Sequence, residues 1–276
     1  MAIAQSFTRL FFTKMWDEYI KITPQAKQIK ALFLQQGEAI VNDHIAIRTF
    51  DLAPISIKKL SPLITQLGYQ LLDHYIFKEK HLYAESYIDK KGLYPRIFIS
   101  EFKTSFLNKT NQKLIQYFCQ QITKQELQNA DIFFKGRLWK MPSWQNYQEL
   151  LEQSEYAAWL SVMGLRANHF TISVNHLKHY DSLSKVNQLL LDAGFKLNNS
   201  GGLIKGSAKE LLEQSATLAS HINMQFAGGD IHQISSCYYE FAKRYLDHNK
   251  RLFEGFVSQS ADKIFESTDS LVIGRK

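Results

Sequence analysis

The sequence predicts an α+β fold made of two copies of one strand–helix–strand module, with helices added before and between them. Three observations predict it. First, Asn42-Asp43-His44-Ile45-Ala46-Ile47-Arg48-Thr49-Phe50 alternates, with Ile45, Ile47 and Thr49 on one side and His44, Ala46 and Arg48 on the other, the period of a strand. Asn168-His169-Phe170-Thr171-Ile172-Ser173-Val174 alternates in the same way and also opens on a histidine. Second, each strand precedes a helical run closed by glycine and an aromatic, Ile57–Leu67 with Gly68-Tyr69 and Leu183–Ala193 with Gly194-Phe195. Third, each copy ends in an aromatic strand bearing Glu-Phe, Ile97–Phe102 and Cys237–Phe241. Matches of this kind recurring in one order are the mark of an internal duplication.

Taken in order, residues 1–40 carry two amphipathic helices over 7–21 and 25–37, the second starting after Thr23-Pro24, a helix-start signal. They are expected to pack outside the first half. The first module covers 41–110, with Tyr94-Pro95-Arg96 as the turn before the strand that holds Glu101. Over 111–164 the apolar period shifts toward 3.6, through Leu114, Ile115, Phe118 and Ile122, then Tyr147, Leu150, Leu151, Tyr156 and Trp159. This is a helical insertion whose aromatics read as core. The second module covers 165–250, with a turn at Ser200-Gly201-Gly202 and a helix expected over Leu211–Ala219. Residues 251–276 form a polar tail without a period, expected to close over a site.

The 276 residues carry a formal charge of +7, and the basic residues are scattered apart from the pairs Lys58-Lys59 and Lys90-Lys91. No basic helix or RNA-binding aromatic signature is present, so the charge suits acidic metabolites and nucleic acid is not expected as a partner. Cys119 and Cys237 are too few for a disulfide framework or a thiolate metal site. No secretory leader and no run of eighteen apolar residues is seen, so a cytoplasmic protein without a membrane partner is expected. Gly201-Gly202 is too short for a phosphate loop. Ser182-Leu183-Ser184-Lys185 and Ser260-Ala261-Asp262-Lys263 fit Ser-x-x-Lys but lack the companion motifs of that chemistry.

Of nine histidines, His74, His81, His179, His221, His232 and His248 sit among polar residues and read as surface, and His176 is weakly placed after the second strand. His44 and His169 differ because they hold equivalent places in the two copies. Two imidazoles and one carboxylate on strands make the facial triad of non-haem Fe(II), and zinc accepts the same ligands. Glu101 and Glu240 are both candidates for the carboxylate. Arg48, on the His44 face, is suited to clamp an acidic molecule.

Four segments resemble, in order, the 2-oxoadipate dioxygenase/decarboxylase (2-hydroxyglutarate synthase) family. They are Asp43-His44-x-Ala46-x-Arg48-Thr49, Arg166-Ala167-Asn168-His169-Phe170-Thr171, Tyr239-Glu240-Phe241-Ala242-x-Arg244 and Ser260-Ala261-x-x-Ile264-Phe265. The resemblance runs from about Val41 to Thr268. It implies a vicinal-oxygen-chelate-like fold, in which duplicated βαβββ modules form a half-open barrel around one metal. It implies His44, His169 and Glu240 as Fe(II) ligands and Arg48 and Ser260 as substrate-binding residues; Glu101, which matches no ligand position of the family, is expected behind them, with Arg166 and Tyr238. The implied reaction consumes O2 and converts a 2-oxo dicarboxylic acid such as 2-oxoadipate to 2-hydroxyglutarate and CO2, with no separate 2-oxoglutarate cosubstrate. Two other classes use the same residues: a zinc hydrolase or lyase on a small acidic metabolite, and a small-molecule binding module without catalysis.

Overall fold

The computed structural model describes residues 2–257. The chain begins with α1 (Ala2–Ile22) and α2 (Pro24–Gln35), and Pro24 suits a first turn, where the missing N–H has no helical partner in any residue. The first module follows as β1 (Asn42–Phe50), α3 (Ile57–Gln66), β2 (Tyr69–Phe77), β3 (Leu82–Asp89) and β4 (Arg96–Phe102). The insertion contains α4 (Lys109–Gln120), a 3-10 stretch over Ala130–Phe134, α5 (Trp144–Gln153) and α6 (Glu155–Met163). The second module is β5 (Ala167–Ser173), α7 (Leu183–Asp192), β6 (Lys205–Ser207), β7 (Leu212–Ala216) and β10 (Tyr238–Arg244). A hairpin of β8 (His221–Gln225) and β9 (Ile231–Ser235) is inserted before its last strand and pairs as a separate sheet.

Eight strands make one curled half-barrel in the order β2-β3-β4-β1-β5-β10-β7-β6. β1 runs parallel to β4, and β5 runs parallel to β10. The other pairs within each module are antiparallel, and β1 meets β5 antiparallel at the seam. Each half is therefore a βαβββ module, related to the other by a pseudo-twofold between β1 and β5. That is the duplication expected from the sequence.

Strand alternation assigns the two faces. Helices cover the outer face. Trp16 of α1 meets Phe170 edge-on at 5.2 Å, and Phe33 of α2 lies 6.2 Å from Phe241. The expectation that the N-terminal helices cover the first half is thereby corrected. At about 1.5 Å per residue, the 21 residues of α1 are long enough to cross the seam. It starts against the first module, where Thr8 donates to the Leu67 carbonyl, and ends on the second, where the Tyr19 hydroxyl donates to the Tyr238 carbonyl.

The helix expected over Leu211–Ala219 is also corrected. Leu211 takes φ +65°, and the next residues form β7, antiparallel to β10. Leu, Glu and Gln favour a helix, but the pairing with β10 buries Leu212, Gln214, Ser215 and Ala216, and burial outweighs propensity here. In the insertion, Ser154 divides the expected helical run. Its φ of −160° ends α5, and its hydroxyl caps α6 by accepting from Ala157 N at 3.1 Å. From Tyr156 to Met163 α6 is buried on every side, and it lies across the concave face. There the Tyr156 hydroxyl donates to the Ser100 carbonyl at 2.6 Å and accepts from Thr49 N at 3.1 Å.

Candidate metal centre

The strand register places His44, Ala46 and Arg48 on the same concave face as His169, Thr171 and Glu240. β1 and β5 each carry an irregularity beside their histidine. The shift on β1 lies between Asn42 and His44, and that on β5 falls between His169 and Ala167. Asp43 and Asn168 are thus the extra residues of two bulges, a device that re-aims neighbouring side chains. Asp43 Oδ1 lies 2.8 Å from His44 Nδ1, and Asn168 Oδ1 lies 3.3 Å from His169 Nδ1. An acceptor at Nδ1 selects the tautomer whose Nε2 is a lone pair. Both Nε2 atoms then point at Glu240: His44 Nε2 is 3.3 Å from Oε1, and His169 Nε2 is 3.3 Å from Oε2.

The three side chains are 2%, 4% and 0% exposed, and their ligand atoms lie within 4.8 Å of one another. Three atoms bound at about 2.1 Å to one cation stand roughly 3.0–3.4 Å apart; each histidine Nε2 already lies 3.3 Å from one Glu240 oxygen, and the 4.8 Å bound on the three-atom set needs only a small contraction to reach that range. Glu240 Oε2 is buried without a hydrogen-bond partner, a costly state for a carboxylate oxygen unless a cation meets it. Its Oε1 accepts from Gln214 Nε2 at 2.6 Å. The set fits a divalent metal on chemistry as well as distance.

The electrostatics separate the two histidines. Burial opposes charge on His44, but Glu240 and Asp43 outweigh it and raise its pKa. His169 has no carboxylate at Nδ1, and burial, with help from His44 and Arg48, brings its pKa down to about 3 despite Glu240. Burial would raise the Glu240 pKa, but the two histidines hold it below the usual carboxylate range. Burial would raise the Asp43 pKa too, but the Arg244 guanidinium, which forks onto both its oxygens at 2.7 and 2.8 Å, holds it below the usual carboxylate range.

Arg244 also donates to the carbonyls of Phe253 and Gly255. It thereby ties the described part of the tail over the centre. Phe256 caps it, with its ring 4.8 Å from His44 edge-on, 4.9 Å from Phe98 and 5.2 Å from the Arg244 guanidinium.

The 2-oxoadipate dioxygenase/decarboxylase family matches residues 12–251. The chain belongs to this family. It is 35% identical to the rice protein named 2-oxoadipate dioxygenase/decarboxylase, chloroplastic/amyloplastic, over 99% of this chain and 82% of the relative. The crystal structure of an Oryza sativa hydroxyglutarate synthase in complex with 2-oxoadipate superposes with TM-score 0.91 at 34% identity, covering 99% of this chain and 95% of that one. A Ralstonia eutropha protein assigned to the glyoxalase superfamily shares the fold, with TM-score 0.71 at 20% identity over 92% of this chain and 85% of that one.

The other residues singled out in the sequence fall in different places. Arg48 lies on the concave face, its guanidinium between Tyr156 and Trp159 at 4.8 and 4.9 Å. Its Nη1 faces both oxygens of Glu155, at 3.2 and 3.3 Å. Tyr238 stands beside the centre, its ring 4.6 Å from His169, and its buried hydroxyl has no hydrogen-bond partner. Arg166 Nε donates to the Met163 carbonyl at 2.8 Å, three residues ahead of His169.

Glu101 is not behind the metal centre. Its partner across the parallel pair is Thr49, on the opposite face from His44 and Arg48, and it accepts from Ile57 N at 2.9 Å and pairs with Lys103 at 2.8 Å. The equivalence with Glu240 fails on register. Glu240 lies two residues beyond the partner of His169, and the matching place two beyond the partner of His44 is Phe98. Ser260 lies outside the described residues. Asp43, Gln214, Arg244 and Phe256 complete the surroundings. Asp43 and Arg244 stood in segments already marked by the resemblance, whereas Gln214 was hidden in the presumed helix.

Proposed function

We propose that this protein is an Fe(II)-dependent dioxygenase/decarboxylase that converts a 2-oxo dicarboxylic acid, 2-oxoadipate or a close relative, to the 2-hydroxy acid one carbon shorter and CO2. The observation that carries the reading is the convergence of His44, His169 and Glu240, in a family whose rice relative holds 2-oxoadipate. Two imidazoles and one carboxylate are the ferrous facial set. Iron held there would supply the centre at which keto acid and O2 react. The balance is complete without a reductant: 2-oxoadipate plus O2 equals 2-hydroxyglutarate plus CO2.

The residues of this chain then have separate roles. Asp43 and Asn168 hold the imidazole tautomers, and Gln214 steadies Glu240. Phe256, Phe98 and Tyr75 line the neighbourhood with rings and keep bulk water from the reacting carbon. Burial and the nearby Glu240 carboxylate raise the Tyr238 pKa. Its phenol therefore stays protonated, able to donate to a substrate oxygen. Arg48 meets the distal carboxylate. Its Nη1 lies within hydrogen-bond distance of both oxygens of Glu155. A substrate carboxylate would compete with Glu155 for this guanidinium. Both residues line a cavity of about 230 Å³ with Glu79, Lys80, His81 and Gln153, the route by which an anion reaches Arg48.

The test is oxygen uptake by anaerobically iron-loaded protein given 2-oxoadipate. Uptake matched one-to-one by CO2, absent in His44→Ala, is expected. Full iron loading without uptake on any 2-oxo dicarboxylate would overturn the reading, and turnover with zinc under nitrogen would replace it with hydrolysis or lyase chemistry. Arg48→Lys should keep the metal and lose most of kcat/KM; an unchanged value would remove the clamp.

A further inference from the structure

On the far side of the sheet from the metal centre, α1, α2 and the seam strands enclose a second cavity of about 510 Å³, the size of a small-molecule site. Its walls are aromatic: Phe12, Trp16, Tyr94, Phe170 and Tyr239. Phe12 and Tyr94 are stacked at 5.7 Å with 17° between their planes, and Trp16 stands edge-on to Phe170. Ring faces and edges of this kind are surfaces against which a planar apolar group packs.

The charged residues around the cavity have one sign. Arg9 and Lys30 line it, and no acidic residue is among its lining residues. Lys30 Nζ sits 4.7 Å from the centre of the Trp16 ring, so its charge is held against the cavity wall. Tyr239 and Asn42 also line it, and the Tyr239 hydroxyl and Asn42 Oδ1 are buried with no hydrogen-bond partner. Tyr239 itself is fully buried. A packed core would not leave two such groups unsatisfied beside a cavity without cost.

We propose that this cavity is a second ligand site, separate from the metal centre, and that it takes a planar aromatic carboxylate. The ring packs on the aromatic wall, the carboxylate meets Arg9 and Lys30, and the Tyr239 hydroxyl donates to a polar atom of the ligand. Its carriers are independent of the catalytic reading, because β5 and β10 present Phe170 and Tyr239 outward while their neighbours His169 and Glu240 face inward.

Calorimetric titration of the metal-free full chain with naphthalene-2-carboxylate tests it. Saturable one-to-one binding is expected, at least about tenfold weaker in Arg9→Ala/Lys30→Ala, the loss of charged hydrogen bonds. Several-fold weakening is expected in Tyr239→Phe, which keeps the ring and the fold. The neutral naphthalene-2-methanol should bind more weakly than the acid. Absence of saturable binding at millimolar probe, equal affinity for the alcohol, or unchanged affinity in the double variant would each overturn the proposal. None of these outcomes depends on iron, oxygen or 2-oxoadipate, so failure here leaves the catalytic reading standing.

Discussion

Asp43 and Asn168 hold the same place ahead of the two histidines and differ in charge. The carboxylate of Asp43, anchored by Arg244, makes His44 Nδ1 the more strongly held of the two. Replacing Asp43→Asn keeps an acceptor and removes the charge. A tenfold to hundredfold loss of metal affinity is expected, the usual scale for a group that orients a ligand, measurable by competition against a chelating dye. Glu240→Ala should abolish metal retention altogether. If iron still binds normally, another carboxylate is the ligand.

A second carboxylate, Glu38, matters for stability. It accepts from Lys178 N and His179 N, both at 2.7 Å. Burial would raise its pKa, yet these bonds lower it. A folded pKa below the unfolded one means stability present above the ordinary glutamate range and lost as pH falls through it. Glu38→Gln should therefore flatten the fall of Tm between about pH 5 and pH 3; an identical slope would refute the linkage. At this scale the two histidines and Arg48 were legible because strand alternation is local, whereas the anchors of Glu38, from a loop 140 residues away, were not.

Among elements, the connection that delivers β5 to the centre is the most constrained. Gly164 ends α6 at φ +70°, and a Cβ there would lie 2.2 Å from Arg137 Cα and 2.3 Å from Arg137 N. Both atoms are backbone and cannot rotate away. Gly164→Ala is expected to cost about 3 kcal/mol or more, read as a lowered urea midpoint, and a shift under about 1 kcal/mol would show that the loop relaxes. The helical insertion was legible from its period, including its core aromatics. The strand β7 was not, because its residues favour a helix in isolation and become a strand through pairing with β10. That misreading concealed Gln214, the donor to Glu240.

The whole molecule is a pseudo-symmetric pair of modules around an asymmetric centre. Both halves contribute a histidine, and the second alone contributes a carboxylate, because Phe98 stands at the register place that Glu240 fills in the other half. A metal held by these three ligands would keep other coordination positions open, as the proposed reaction requires. Phe98→Glu should supply a fourth ligand: metal retention persists while oxygen uptake falls at least about tenfold, by closing a position the reaction needs. Undiminished uptake would show that Phe98 does not face the metal. Local spacing by itself determined the duplication, the two histidines and the face on which Arg48 stands, because each is written in the period of one strand. The choice of Glu240 over Glu101 needed the family resemblance, and the structure supplies its physical reason. Parity and register between strands separate the two carboxylates, and register is a property of paired strands that no single stretch of sequence contains.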